Sequence, residues 1–297
     1  MVRFLYGIAR LLRLPNLFTL PGDVLCGFFL VQIYPAYPLS ARLDSPETLV
    51  LLLTGSFAVY CFGLIQNDLC GYDEDCRYGR SNRPLVDGSV SLKTARTMLS
   101  LTGIVAVVSA VTVNFVALGI TVLILLSATC YNFLSPSFPR LSAPLMGLCR
   151  SLNVMLGASA FGLEAFSIEL LNFPFLICVV FHFCYISAVT LLASTEEKGR
   201  ISKLLLLTPF TAVLVLAVVI PHLVFAILAV WVLCLSLSLW RAKTPEAIGT
   251  GIGQLIGTLI LVQLCWVVLV TGDVFLVAII LFLYLGNHTV SKMLYSS

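Results

Sequence analysis

Residues 67–90 read Asn-Asp-Leu-Cys-Gly-Tyr-Asp-Glu-Asp-Cys-Arg-Tyr-Gly-Arg-Ser-Asn-Arg-Pro-Leu-Val-Asp-Gly-Ser-Val, between two long apolar runs. Asp68, Asp73, Glu74, Asp75 and Asp87 are five of the 14 acids in the chain, and Arg77, Arg80 and Arg83 stand among them. On a helix, Asn67, Gly71 and Asp75 stack at i, i+4 and i+8, with Asp68 close to Asp75 at i+7. Carboxylates that converge on one face repel each other unless a cation sits between them. Mg²⁺ takes oxygen ligands, keeps several waters and commonly bridges one or two carboxylates to substrate phosphates. Arg77, Arg80 and Arg83 just beyond can give paired hydrogen bonds to diphosphate oxygens. The pattern predicts that Asp68 and Asp75, with Asn67 beside them, hold Mg²⁺ and that Arg77 and Arg83 bind a diphosphate. A diphosphate clamped this way is primed to leave, because metal and guanidinium stabilise its departing charge. A solvated basic loop is the competing reading, but it gives the acids no purpose.

The elements that must position these groups follow from composition. The chain has 297 residues, 60% hydrophobic and 10% charged, with mean hydropathy +1.06. Soluble domains carry about 25% charged residues, which excludes that class. A bilayer span needs roughly 20 apolar residues, and such runs lie near 16–34, 48–66, 95–112, 115–133, 143–163, 174–193, 203–220, 222–240, 247–270 and 273–290. They lack strict alternation, so the expected fold is all-α rather than a barrel: a polytopic membrane bundle of nine to ten transmembrane helices, one domain over 1–297. Only Pro221 and His222 separate the seventh run from the eighth. With the N-terminus cytoplasmic, every lysine and arginine except Arg42 and Arg150 falls on the cytoplasmic side, as do the acidic loops. The net charge of +3 follows from that distribution and implies no nucleic-acid partner. Ten cysteines without a Cys-x-x-Cys pair read as small packing residues, not as a zinc or redox motif. Arg3, Arg10 and Arg13 among apolar neighbours predict a short amphipathic helix on the membrane surface, retained because no small-x-small cleavage site follows.

Ionisable residues inside spans cost about 2.5–3.5 kcal/mol each on insertion scales and mark function by default. Asn16, Asp23 and Gly27 share one face of the first helix, and Arg150, Asn153 and Gly157 share one face of the fifth. Both faces are expected to line a common polar cavity. There Asp23 and Arg150 either pair or bind substrate. His182 and Tyr185 fit that cavity or a satisfied core equally well.

Asn67-Asp68-x-x-Gly71-x-x-x-Asp75, then Arg83-Pro84-Leu85 and Gly88-x-Val90-Ser91, resembles the first aspartate-rich motif of the UbiA superfamily of intramembrane prenyltransferases. Arg13-Leu-Pro-Asn16, Tyr131-Asn132 and Arg150-x-Leu-Asn153-x-x-x-Gly157 agree with it. The resemblance implies helices around a central cavity open to lipid. The activity it implies is transfer of an isoprenyl group from its diphosphate to an aromatic or lipid-like acceptor, with Mg²⁺, in a bacterial inner membrane. The middle aspartate of the motif is Gly71 here. The second motif reads Ala193-Ser-Thr-Glu-Glu-Lys-Gly-Arg200, similar to a divergent EboC-like branch. Carried over, Glu197 joins Asp68 and Asp75 as a metal ligand and Lys198 joins the diphosphate site, while Asn16, Asp23, Arg150 and Asn153 shape the cavity. The two departures raise an alternative: a catalytically altered relative that binds or transports a lipid-like metabolite.

Overall fold

The computed structural model describes residues 2–32, 46–166, 173–194, 203–242, 244–272 and 274–295. In chain order these form α1 (Val2–Leu11), α2 (Leu14–Leu17), α3 (Leu20–Val31), α4 (Pro46–Cys70), α5 (Tyr72–Arg77), α6 (Leu92–Val113), α7 (Phe115–Leu134) and α8 (Pro139–Ala158). After a 3-10 stretch at Ser159–Phe166 come α9 (Phe173–Ala193), α10 (Lys203–Leu206), α11 (Thr208–Val219), α12 (Leu223–Arg241), α13 (Pro245–Thr271) and α14 (Val274–Tyr295). Every apolar run in the sequence overlaps a helix. Among the described residues, eight helical stretches are long and apolar enough to cross a membrane. Outside those eight are α11, only 12 residues long, and α8, which carries Arg140, Arg150 and Asn153.

Two breaks are worth their physical reasons. The apolar run at 16–34 is one helix in the sequence reading, but the chain splits into α2 and α3. Pro21 lacks the N–H that would reach the Leu17 carbonyl in a continuous helix, and Thr19 at the break donates its hydroxyl to the Asn16 carbonyl at 2.7 Å. Asn16 and Asp23 therefore lie on consecutive helical segments of one 18-residue apolar stretch. Between α11 and α12 the chain is extended at Ile220 and His222, and His222 Nδ1 accepts from the Val224 N–H at 3.4 Å. That histidine, without a role in the sequence reading, caps α12.

Helices α4, α6 and α7 pack together on one side, and α9 and α11–α14 on the other. Between them α3 and α8 run in close contact. A β-carbon at Gly27 would overlap the Val154 carbonyl of α8, and one at Gly157 would overlap the Val24 carbonyl of α3. Small residues allow two backbones to touch where lipid gives no hydrophobic drive for association. The outer faces are apolar, with Ile104 and Val108 of α6, Val218 of α11 and Val230 of α12 exposed, while Asp23, Arg150, His182 and Gln263 lie inside. This inside-out polarity is that of an integral membrane protein.

Replacing Gly157 by leucine should force α3 and α8 apart, since overpacking typically costs about 1–3 kcal/mol and rigid backbone here has little room to yield. The expected result is a large drop in melting temperature in detergent and loss of the monodisperse peak on size exclusion; Ser151→Ala, on the same helix, should retain both.

Candidate active site

The carboxylates at the end of α4 sit where the helix spacing puts them. The helical hydrogen-bond pattern runs through Gly71: its N–H donates to the Asn67 carbonyl at 3.0 Å, and its carbonyl accepts from Asp75 N–H at 2.9 Å. Asn67, Gly71 and Asp75 thus stack, and Asp68 and Asp75 are both 6% exposed. All four residues line one cavity of about 640 Å³, walled by α4, α7 and α8. Because the helix does not unwind at Gly71, Asp73 stays exposed and off the cavity wall; Glu74 lines the mouth.

Three arginines converge on the two buried carboxylates. Arg83 reaches both, with Nη1 3.5 Å from Asp68 Oδ1 and Nε 3.6 Å from Asp75 Oδ2. Arg80 Nη1 donates to Asp75 Oδ1 at 2.8 Å. Arg13 Nη2 donates to Asn67 Oδ1 at 3.2 Å and stands 3.7 Å from Asp68 Oδ1. Arg77, expected on the diphosphate, is exposed and stands off the cavity wall; Arg80 occupies the site instead. The reason is local. The α5 helix ends with Gly79 at φ 62°, the Gly79 N–H on the Cys76 carbonyl at 3.2 Å and the Arg80 N–H on the Asp75 carbonyl at 3.0 Å. This glycine-terminated cap turns the chain back on itself and lays Arg80 over the carboxylate. A glycine two residues past the last helical residue was the sequence signal that pointed to it.

Arg13 was the other omission. Its backbone is left-handed (φ 44°, ψ 55°), the only positive φ at a non-glycine among the described residues. That conformation costs about 1–2 kcal/mol for an L-residue with a β-carbon, and its side chain is the one delivered to Asn67 and Asp68. Helix α1, which leads to it, is tied down by Arg3 donating to the Asp87 carbonyl at 2.7 Å and by an Arg10–Asp87 ion pair. Partial burial pushes the Asp87 carboxyl up, but hydrogen bonds from Ser89 and Arg10 outweigh it and hold the group below its ordinary value. Asn67 is fixed from the far side, where its amide donates to Asn132 Oδ1 at 3.1 Å and Asn132 donates to the Gly63 carbonyl at 3.0 Å.

The residues expected on the deeper wall divide. Arg150 and Asn153 line the cavity; Asn16 and Asp23 do not. Asp23, fully buried, pairs with Arg150 (Nε to Oδ2, 3.2 Å) and accepts from Asn153 Nδ2 at 3.0 Å and from Gln263 Nε2. His182 Nε2 lies 3.4 Å from the same carboxylate, with Nδ1 2.7 Å from the Cys178 carbonyl. Tyr185 donates to the Leu255 carbonyl at 2.7 Å. Neither lines the cavity; Tyr185 is satisfied in the core, whereas His182 Nε2 is buried with no hydrogen-bond partner beyond that approach to Asp23. Gln263, 240 residues from Asp23, had no local signal. Glu197 and Lys198 lie outside the described residues.

Tested against Mg²⁺, the donor set fits the usual pattern of one or two carboxylates completed by substrate phosphates and water. Among the described residues no three metal-ligating side chains cluster, and Asp68 and Asp75 are the two buried carboxylates that line the cavity.

Residues 29–246 match the UbiA prenyltransferase family. The chain belongs to that family. Similar solved structures are UbiA proteins or their kin. A digeranylgeranylglyceryl phosphate synthase shares 18% identity over 90% of this chain and 98% of its own, with TM-score 0.60. The apo UbiA homologue from Aeropyrum pernix K1 shares 19% over 84% and 97%, at 0.61. The UbiA homologue from Archaeoglobus fulgidus bound to GPP and Mg²⁺ shares 16% over 98% and 100%, at 0.51. At these identities the likeness establishes the UbiA fold. No curated protein matches the chain by sequence.

Two stability tests follow from this geometry. A β-carbon at Gly79 meets nothing within 4 Å, so Gly79→Val should cost only the left-handed backbone, about 1–2 kcal/mol, and Gly79→Asn clearly less, read as melting temperature in detergent. Arg150→Met alone strands the buried Asp23 charge and should cost about 3–5 kcal/mol; Asp23→Leu with Arg150→Met should recover part of it.

Proposed function

We propose that the protein is a Mg²⁺-dependent intramembrane prenyltransferase that moves an isoprenyl group from its diphosphate to an aromatic or lipid-like acceptor. The observation that carries the reading is the pair of buried carboxylates, Asp68 and Asp75, facing one cavity with Arg13, Arg80 and Arg83. The structures of a UbiA homologue from Archaeoglobus fulgidus bound to GPP and Mg²⁺ and to DMAPP and Mg²⁺ support it. The excess of lysine and arginine on the acidic-loop side supports a cytoplasmic mouth.

In this reading Asp68 and Asp75 hold the ion, and Asn67 orients the first of them. The ion held there would supply Lewis-acid stabilisation of the departing diphosphate. Arg13, Arg80 and Arg83 bind the terminal and bridging oxygens through charge-assisted hydrogen bonds that strengthen as negative charge grows there. The allylic C–O bond breaks, pyrophosphate leaves with the electron pair, and the allyl cation is attacked by an electron-rich atom of the acceptor, which then gives up a proton. The apolar wall, with Val59, Leu64 and Ile124, holds the prenyl chain and keeps water from the cation. Arg150 and Asn153, locked in place by Asp23, present polar groups to whatever lies deeper. Glu197 and Lys198 complete the proposal as a further ligand and a diphosphate contact.

A specific observation favours a second reading: Gly71 stands where a further carboxylate is expected. A relative that binds or carries a prenyl lipid without ionising it would need no more acids than these.

Purified protein in detergent with Mg²⁺ should release pyrophosphate from geranyl, farnesyl or geranylgeranyl diphosphate when phenolic and lipid-alcohol acceptors are supplied. Asp75→Asn should lower that rate by about 100-fold or more, in line with loss of one electrostatic partner at a transition state. No release with any donor, together with binding of a neutral prenyl alcohol that ignores both Mg²⁺ and Asp75→Ala, would establish the carrier instead.

A further inference from the structure

The two buried carboxylates already have cationic partners. Arg83 touches both of them, as a bridging ion would, and it does so through Asp75 Oδ2 and Asp68 Oδ1. Arg80 takes the other oxygen of Asp75 at 2.8 Å, and Arg13 stands 3.7 Å from Asp68 Oδ1. Counting Glu74, three guanidiniums face three carboxylates around the mouth among the described residues, so their formal charges cancel.

We propose that the metal enters this site only together with the diphosphate, because the arginines hold its place until the anion draws them away. The inference rests on the reading of the site as one for a prenyl diphosphate and extends it to the order of binding. A lone Mg²⁺ would have to push Arg83 out of contact with both carboxylates, gaining no new partner for the guanidinium and leaving the mouth positive. Mg²⁺ also dehydrates reluctantly, so two carboxylates already neutralised are poor bait. A diphosphate reverses each term. It offers oxygens that match the guanidinium fork, and every arginine that turns to it frees a carboxylate oxygen that the metal and the diphosphate can then share. Release is easy: the Arg83 and Arg13 contacts of 3.5–3.7 Å exceed the about 2.7–2.9 Å of a tight charge-assisted bond. Their side chains are also about one-third exposed, at 33% and 35%.

Gly71 makes the order strict. A β-carbon there would stand 3.4 Å from the Asn67 carbonyl and 3.7 Å from Asp75 Oδ2, in ordinary contact, so the position has room for a side chain directed at the site. A carboxylate there would be a fourth against three arginines and would hold a metal without substrate. The glycine removes that charge and leaves the empty-handed enzyme metal-free.

Calorimetry on metal-stripped protein in detergent tests this with Mg²⁺ alone, inorganic pyrophosphate alone in chelator, and Mg²⁺ into pyrophosphate-saturated protein, corrected for binding between the two in buffer. Pyrophosphate should bind without metal, Mg²⁺ alone should not saturate below millimolar, and pyrophosphate should raise Mg²⁺ affinity by ten-fold or more, within the usual range of coupling between sites. Gly71→Asp should acquire Mg²⁺ binding in the absence of pyrophosphate. Arg83→Gln should strengthen Mg²⁺ alone and weaken pyrophosphate alone, opposite signs that a merely structural arginine would not produce. Equal Mg²⁺ affinity with and without pyrophosphate, or pyrophosphate binding only after Mg²⁺, overturns the order while leaving the diphosphate site standing. Absence of binding in all three titrations removes the site reading along with it.

Discussion

A buried carboxylate in a membrane protein must be neutralised by something, and this constraint organises the whole mouth of the cavity. Two such groups, one at the end of α4 and one on α5, cannot stay ionised beside each other without cations at hand. The chain meets the requirement with arginines brought from two directions: Arg13 from the left-handed junction after α1, and Arg80 and Arg83 from the glycine-terminated turn after α5. The same constraint makes the site responsive, since a cation network balanced on its own can be rebalanced by an anion and a metal arriving together.

A second buried network works differently. Asp23, Arg150, Asn153, His182 and Gln263 join α3, α8, α9 and α13 around one carboxylate with no exposure. It sits where α3 and α8 touch backbone to backbone across Gly27 and Gly157. Removing one partner strands a charge, so the network holds four helices in register and fixes the cavity wall that Arg150 and Asn153 form. The wall is buried and tightly paired, whereas the arginines at the mouth are about one-third exposed.

How much of this the sequence showed depends on the range of the signal. Helix spacing alone stacked Asn67, Gly71 and Asp75 correctly, because the backbone stays helical through the glycine. Every apolar run overlaps a helix, but hydropathy joined α2 to α3, since one proline and one threonine break a helix without interrupting its apolar character. Charge counting marked Arg77, Arg80 and Arg83 alike; Gly79, whose positive φ reverses the chain, is what lays Arg80 and not Arg77 on the cavity. Arg13 was legible as basic but not as a site residue, because its reach depends on a strained backbone angle that no spacing rule encodes. Gln263 was beyond reach, as a bond across 240 residues leaves no local trace.

The account turns on whether Asp68 and Asp75 share one ion with a diphosphate. Crystals grown with Mn²⁺ and a non-ionising thio analogue of farnesyl diphosphate would show it directly by anomalous scattering. The account predicts a single metal peak between the two carboxylates, with metal–oxygen distances near the about 2.1 Å typical of small octahedral cations, and Arg83 turned from the aspartates to the diphosphate. Bound analogue with no peak there, or with Arg83 still against both aspartates, would contradict it.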